Sequence, residues 1–417
     1  MLANQFDAFF LDLDGVIYIG EQALPYAVTS LQRLRDMGKS LRFLTNNPSI
    51  QRERLVERLQ NMGITIQKEE VITSTWATCL YLQQQGIQSV YPIGNFDMLL
   101  ELAEAGIAVE EENPEAVVVG YEDQIDYTHI RHAVRLIRDG APFIATNADA
   151  WYPSPSGPAP ATGAIVAAIQ VASEQRPTII GKPSAAMFVQ ACRDLAVERD
   201  RIVMIGDTLV SDIVGAHQAG ISALLISTLT PDIPLFSRTR DLRQPDAVLP
   251  NLSALFDARS PIQHWQPVPY VWPQQVAPAV CAVVCNAQQQ ILLLQSNHQG
   301  WELPTARVEP GEELEEAIVR AVFQKTGVSI SIKAISGVYS DPLTQVILLP
   351  NGEATHFITT TFLCEMKEEI VQEAWQSAFP IAFVAPQHLP DLLFPIHGKW
   401  IADALSGRTT RIFELPL

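Results

Sequence analysis

The sequence predicts an α/β protein, with a doubly wound parallel-sheet core that carries an inserted α/β module, followed by a further α/β domain. Three observations predict it. Short apolar runs alternate with helical patterns from the N-terminus, as strands joined by crossover helices do. The alternation breaks off for about a hundred residues that have strands and a helix of their own, then resumes. A stretch with Pro261, Pro267, Pro269, Pro273 and Pro278 then precedes a new strand–helix pattern. A chain of 417 residues is long for one core, so two or three domains are expected. The expected division is 1–84 and 177–258 for the core, 85–176 for the insert, 259–276 for the linker and 277–417 for the last domain.

Taken in order, residues 7–13 read as a strand, 26–37 as a helix and 40–44 as a second strand. In the insert, 116–120 and 142–146 read as strands, 127–138 as a helix and 153–163 as a Pro/Gly-rich loop. The core pattern resumes with strand-like runs at 177–181 and 201–207. Trp265, Tyr270 and Trp272 in the linker are expected to pack on a domain surface. Beyond it, 279–285 and 291–295 read as strands, about 312–325 as a helix, and a last helix falls near Lys399.

With 47% hydrophobic and 18% charged residues, the composition is that of an ordinary globular protein. Acidic residues outnumber basic ones 46 to 28, a net charge of -18. That field repels nucleic acid and anionic membranes, while a metal or local cations still admit small phosphorylated ligands to a cleft. The five cysteines have neither disulfide nor zinc spacing and read as reduced core thiols. With no secretory-type N-terminal pattern and no apolar run of membrane-spanning length, a cytoplasmic protein is expected.

Candidate chemistry gathers where apolar runs end. Asp12 and Asp14 close the first run, one residue apart and followed by Gly15. Ligands of open α/β sheets bind outside the carboxyl ends of the strands. Carboxylates beside a core strand are costly without a cation, so a divalent metal and an Asp nucleophile toward a phosphoryl group are the natural use. A plain acidic turn is the alternative. Thr45 closes the run at 41–44, Lys182 follows 178–181, and Asp207 follows 202–206 with Asp212 five residues on. Singly these read as an N-cap, a solvated lysine and a first-turn acid. Together at one rim they offer the nucleophile, acid, cation and donor that phosphoryl transfer needs.

In that order, Asp12-Leu13-Asp14-Gly15-Val16, Thr45-Asn46-Asn47, Gly181-Lys182-Pro183 and Gly206-Asp207-Thr208-Leu209-Val210-Ser211-Asp212 resemble the four motifs of the haloacid-dehalogenase-like (HAD) superfamily. The long insert and Thr45-Asn46-Asn47-Pro48-Ser49 resemble its class IIA phosphatases, the p-nitrophenylphosphatase type. The resemblance spans about residues 5–257. It implies Asp12 as nucleophile forming an aspartyl-phosphate and Asp14 as general acid and base. Thr45 and Lys182 are then phosphoryl-binding groups, with Asn46 beside them. It implies Mg²⁺ held by Asp12, Asp207 and the carbonyl of Asp14, with Asp212 in support. Thr146-Asn147-Ala148-Asp149 resembles the segment returning from cap to core, so Asn147 and Asp149 read either as leaving-group contacts or as a surface turn.

The segment Trp301-Glu302-Leu303-Pro304, with Val308-Glu309-Pro310-Gly311-Glu312 and the helix ending at Gly327, resembles a Nudix domain, which implies an α/β/α fold. Glu312, Arg320, Val322 and Val328 match the family's box. Ala306 stands where its first glycine belongs, and Ala321, Gln324 and Lys325 stand where three metal-binding glutamates belong. A Lys charge ~5 Å from a divalent ion opposes it by roughly 7 kcal/mol at an effective dielectric of ~20. Pyrophosphohydrolase activity is therefore expected to be lost. Glu309, Glu313, Glu315 and Glu316 read as a solvated helix start. The domain is left with a nucleotide ligand, a structural role or a homo-oligomer interface.

The whole therefore reads as a Mg²⁺-dependent phosphatase acting on a small phosphorylated metabolite. The alternatives are a phosphotransferase and a regulatory protein sensing a nucleotide such as ADP-ribose.

Overall fold

The computed structural model describes residues 1–154, 157–227, 241–257, 270–295, 300–349, 352–367 and 380–406. The chain divides into two compact units, Met1–Trp272 and Pro273–Leu417.

A six-stranded parallel sheet forms the centre of the first unit. Its spatial order is Ala247–Leu249, Ser222–Ile226, Ile202–Gly206, Ala8–Leu11, Ser40–Thr45 and Val71–Thr73. The first strand to be made sits in the middle, with Ala8–Leu11 paired to Ile202–Gly206 on one side and Ser40–Thr45 on the other. Both faces of that strand are buried, which explains its unbroken apolar run. Ala8 and Phe10 enter one apolar cluster, while Phe9 and Leu11 enter the other. The helix Ala27–Asp36 matches the helical pattern at 26–37, and Arg52–Asn61 is a second crossover helix, between Ser40–Thr45 and Val71–Thr73.

The cap is a second parallel sheet, ordered Thr178–Ile179, Phe143–Ala145, Ala116–Val119, Ser89–Ile93 and Ala108–Val109. One face of it (Val90, Val118, Ile144) continues the core's own apolar cluster. The other face packs under the helices Tyr127–Arg138 and Thr162–Ser173 through Val117, Val119, Leu136 and Ile169.

Two expectations need correction here. The strand before Lys182, expected in the core sheet, pairs with Phe143–Ala145 of the cap. It is only two residues long, and a run so short carries no periodicity that could tell one sheet from another. The expected loop at 153–163 contains an antiparallel hairpin, Trp151–Ser154 with Gly157–Pro160. Prolines cannot donate to a ladder, and a two-stranded ribbon of edges tolerates them.

Cap and core are tied by buried charge. Arg52 opens a core helix and is 3% exposed; its Nε donates to Glu101 Oε2 at 2.9 Å and its backbone N–H to Oε1 at 2.7 Å. Glu101, 1% exposed, lies on the helix Phe96–Glu104. The Arg52 guanidinium also reaches Glu104 at 2.9 Å and lies 3.3 Å from the centre of the Trp76 ring.

The Pro273–Leu417 unit is built on an eight-stranded sheet centred on Gln275–Cys285 and Ala354–Met366, which run parallel. Alternation along the first of these is plain: Val280, Ala282 and Val284 face the helix Leu314–Thr326, while Cys281 and Val283 face the helix Pro395–Leu405. Helices therefore cover both faces, giving the α/β/α arrangement. Of the linker aromatics, Trp265 lies outside the described residues. Trp272 lies beneath Arg243 at 5.5 Å, and its backbone N–H donates to Gln218 Oε1 at 2.7 Å. All five cysteines are free thiols, and four of them are buried. Among the described residues no helix is long and apolar enough to cross a membrane.

Candidate active site

Asp12 leaves the carboxyl end of the central strand, anchored by its N–H on the Ile205 carbonyl at 2.9 Å. Gly15 then turns the chain with φ +79°, and a Cβ there would stand 2.2 Å from Asp207 Oδ2. Only glycine lets the two strand ends come this close. Asp207 follows its own strand, and Asp212 sits in the π-type turn Leu209–Ile213, where its Oδ2 accepts from the Thr208 N–H at 3.1 Å.

Lys182 reaches this cluster from the cap side. Its Nζ donates to Asp12 Oδ1 and Asp212 Oδ1, each at 2.7 Å, with the Leu44 carbonyl at 3.4 Å. Asp212 and Lys182 are 0% and 3% exposed. Burial works against the Lys182 ammonium, but Asp12 and Asp212 more than offset it and hold its pKa above the ordinary value. Burial pushes the Asp12 carboxyl above its ordinary value, with Lys182 opposing the rise and Asp212 and Asp207 adding to it. Asp207 is also raised, by loss of solvent and then by Asp212.

One ammonium thus leaves the carboxylates undercompensated. Asp12, Asp207 and Asp212 each offer an oxygen, all within 4.8 Å of one another, and form the single such group among the described residues. A hard, all-oxygen donor set in a charge-deficient pocket fits a divalent cation of the Mg²⁺ kind. Asp14, at the mouth, accepts a hydrogen bond from the Tyr18 hydroxyl at 3.1 Å; burial raises its carboxyl, and this bond works against the rise. The Arg58 guanidinium covers the Tyr18 ring at 4.6 Å. Neither Tyr18 nor Arg58 figured among the sequence candidates. The tight turn at Gly15, which folds residue 18 back onto residue 14, was the available signal for Tyr18.

Thr45 ends its strand 4% exposed, its Oγ1 accepting from the Asn47 N–H at 3.1 Å. Asn46, Asn147 and Asp149 come together as well, but chiefly with one another. Asn46 Nδ2 donates to the Asp149 carboxylate at 3.1 and 3.2 Å, and Asn147 Nδ2 donates to the Asn46 carbonyl at 2.7 Å. The structure thus gathers Asp12, Lys182, Asp207 and Asp212 around one point, with Asp14 two residues beyond Asp12, Thr45 at the end of the neighbouring strand, and the other three forming the joint behind Lys182.

Haloacid dehalogenase-like hydrolases have a family model that matches residues 9–108, and a second, HAD-hydrolase-like model matches residues 179–255. An acid sugar phosphatase of Staphylococcus aureus is 32% identical over 227 residues, which is 54% of this chain and 88% of the relative. The chain belongs to the haloacid dehalogenase-like hydrolases. Among solved structures, this hydrolase resembles the 4-nitrophenylphosphatase of Thermotoga maritima (31% identity, TM-score 0.56), with 61% of this chain and 98% of that one covered. NagD from E. coli K-12 is similar too (28% identity, TM-score 0.55, 60% and 98% covered). These relatives make the first unit of the hydrolase a phosphoric monoester hydrolase of the NagD and p-nitrophenylphosphatase kind, acting on a small phosphorylated substrate.

A NUDIX domain model matches residues 275–404. Within that unit, Arg320 grips Glu312 with two bonds at 2.6 and 2.8 Å, holding the Glu312 carboxyl down at about 2. Ala321 is 2% exposed and faces the core, and Gln324 accepts from Arg320 at 3.3 Å. Lys325 Nζ donates to the Thr305 carbonyl at 2.7 Å, and burial lowers its pKa. Glu313 and Glu316 form a reciprocal cap at the helix start, while Glu309 and Glu315 are exposed.

Proposed function

We propose that the first unit hydrolyses small phosphate monoesters through a covalent intermediate on Asp12. The observation that carries this reading is the Lys182 ammonium held between Asp12 and Asp212, with Asp14 and Thr45 at the same rim. An Asp12 oxygen attacks phosphorus as the ester P–O bond breaks, and Asp14 delivers its proton to the leaving oxygen. Asp14 then takes a proton from water, whose oxygen attacks the aspartyl-phosphate, releasing inorganic phosphate and restoring Asp12. Lys182 and the Thr45 hydroxyl hold the phosphoryl oxygens throughout. Asp12, Asp207 and the Asp14 carbonyl, supported by Asp212, would hold Mg²⁺, which when bound supplies positive charge against the phosphoryl group. Proton transfer by a placed acid contributes typically ~10²–10⁴-fold.

In the Nudix unit, the helix face that would need carboxylates presents a buried methyl, an amide and an ammonium already bound to a carbonyl. That face supports a unit without pyrophosphohydrolase activity, available for a nucleotide-type ligand.

The test is release of inorganic phosphate from a panel of monoesters, with and without Mg²⁺, for wild type and Asp12→Asn. Metal-dependent release that Asp12→Asn abolishes is the expected result. Undiminished turnover by Asp12→Asn would remove the covalent mechanism.

A further inference from the structure

The Asn46 side chain is saturated. Its Oδ1 accepts the Lys182 N–H at 2.8 Å, and Nδ2 donates to the Lys182 carbonyl at 2.9 Å and to the Asp149 carboxylate. An asparagine amide has two N–H donors, and both are spent here. Nor is Oδ1 open to a second donor: a Cβ at Gly181 would lie 2.7 Å from it, so the Gly181 backbone is packed against that oxygen. Nothing on this side chain remains for a substrate.

The amide spans both backbone hydrogen-bonding groups of Lys182, and it does so from the end of the core strand that carries Thr45. The chain reaches Lys182 out of a cap strand, with the Gly181 N–H on the Thr146 carbonyl at 2.7 Å. The lysine backbone would therefore follow the cap were it not held from the core. Asp149 sets the direction of the clamp. A carboxylate only accepts, so it fixes the NH₂ end of Asn46 toward itself and leaves Oδ1 for the Lys182 N–H. The Asn46 carbonyl, in turn, receives Asn147 Nδ2 at 2.7 Å and Ser74 Oγ at 2.8 Å, which immobilises the residue itself.

We propose that Asn46, oriented by Asp149, is a positioning residue that fixes the Lys182 backbone so that its ammonium meets the phosphoryl group over Asp12, and that it does not contact substrate. This rests on the role given to Lys182 above. It also predicts a kinetic pattern that substrate contact cannot produce. Lys182 acts on the phosphoryl group, which all monoesters share, so loss of the clamp must cost every ester the same factor.

The experiment measures kcat and KM for p-nitrophenyl phosphate and a hexose phosphate in wild type, Asn46→Ala, Asp149→Asn, Lys182→Ala and the Asn46→Ala/Lys182→Ala double variant. Asn46→Ala is expected to lower kcat roughly 10–100-fold, the usual cost of releasing a supporting contact, by the same factor for both esters. Asp149→Asn costs less, again equally for both. In the Lys182→Ala background, Asn46→Ala costs nothing more, since two residues acting through one group are not additive. Amide hydrogen exchange at Lys182 rises in Asn46→Ala, which reads the clamp without activity. Losses that differ more than ~10-fold between the esters, or that multiply in the double variant, overturn the clamp while leaving the phosphatase reading intact. Full activity in Lys182→Ala would instead overturn the role of Lys182 and the clamp with it.

Discussion

Removing the Glu101 carboxylate should loosen the joint between cap and core, and the structure sets the size of the effect. Glu101 accepts two bonds from Arg52, and the two side chains are 1% and 4% exposed. Breaking a buried pair from one side strands the other charge and costs about 3–5 kcal/mol. Arg52 keeps Glu104 and the Trp76 face, which eases the loss. Its backbone N–H, however, loses its acceptor, a penalty of about 1–3 kcal/mol. The two adjustments oppose each other, so Glu101→Ala is expected to cost about 3–5 kcal/mol overall. At ~2–4 °C per kcal/mol for a unit of this size, the melting temperature should fall by roughly 6–20 °C. Glu101→Gln keeps the shape and an acceptor for the N–H, so its cost should stay near ~1–2 kcal/mol. Differential scanning calorimetry on the full chain measures both. A shift below ~2 °C for Glu101→Ala, or equal damage from the two variants, would refute the reasoning.

Two further outcomes follow from geometry and charge. His397 is buried and accepts the Leu303 N–H on Nδ1 at 3.0 Å, and burial lowers its pKa to about 4. The unfolded chain takes up this proton near pH ~6.5 and the fold only near 4, so the contribution is complete above ~6.5 and drains away as pH falls. About 3 kcal/mol should be lost across that window, and His397→Gln should flatten the acid limb of a denaturation series relative to wild type; parallel limbs would contradict it. Gly206→Ala would place a Cβ 2.2–2.4 Å from three atoms of the Asp212 side chain, which has no free space to retreat into. Displacing Asp212 from Lys182 should lower kcat by ~10²-fold, as a misplacement of about 1 Å does, and steady-state kinetics on p-nitrophenyl phosphate checks it.

The rim of acids was legible because each group ends an apolar run, and a parallel sheet carries such ends to one edge. Asp12 and Asp207 needed only that. Lys182 was legible as a residue but not in its route, since a two-residue strand has too little pattern to name its sheet. The Arg52–Glu101 pair left no mark at all. The two residues stand 49 positions apart, on helices whose charged residues look solvated until the cap packs down. The partners of Asn46 were hidden for the same reason, because hydrogen bonds to Lys182 and Asp149 depend on the completed fold. In the Nudix unit the missing carboxylates were plain from the resemblance to the family's box, which Ala321, Gln324 and Lys325 break. The carbonyl of Thr305 that engages Lys325 was not, since it comes from a neighbouring strand.

The place of Ala8–Leu11 at the centre of the core sheet has a consequence for how the chain is made. One of its two neighbours, Ile202–Gly206, leaves the ribosome nearly two hundred residues later. At ~5–20 residues per second, Phe9 and Phe10 wait ~10–40 s beside an open strand edge while the whole cap is synthesised between them and their partner. An apolar edge exposed for that long invites pairing with another chain. Early docking of Ser40–Thr45 and of the helix Ala27–Asp36 shields the other edge and one face during that interval, so the speed of those local steps bears directly on the yield of folded protein.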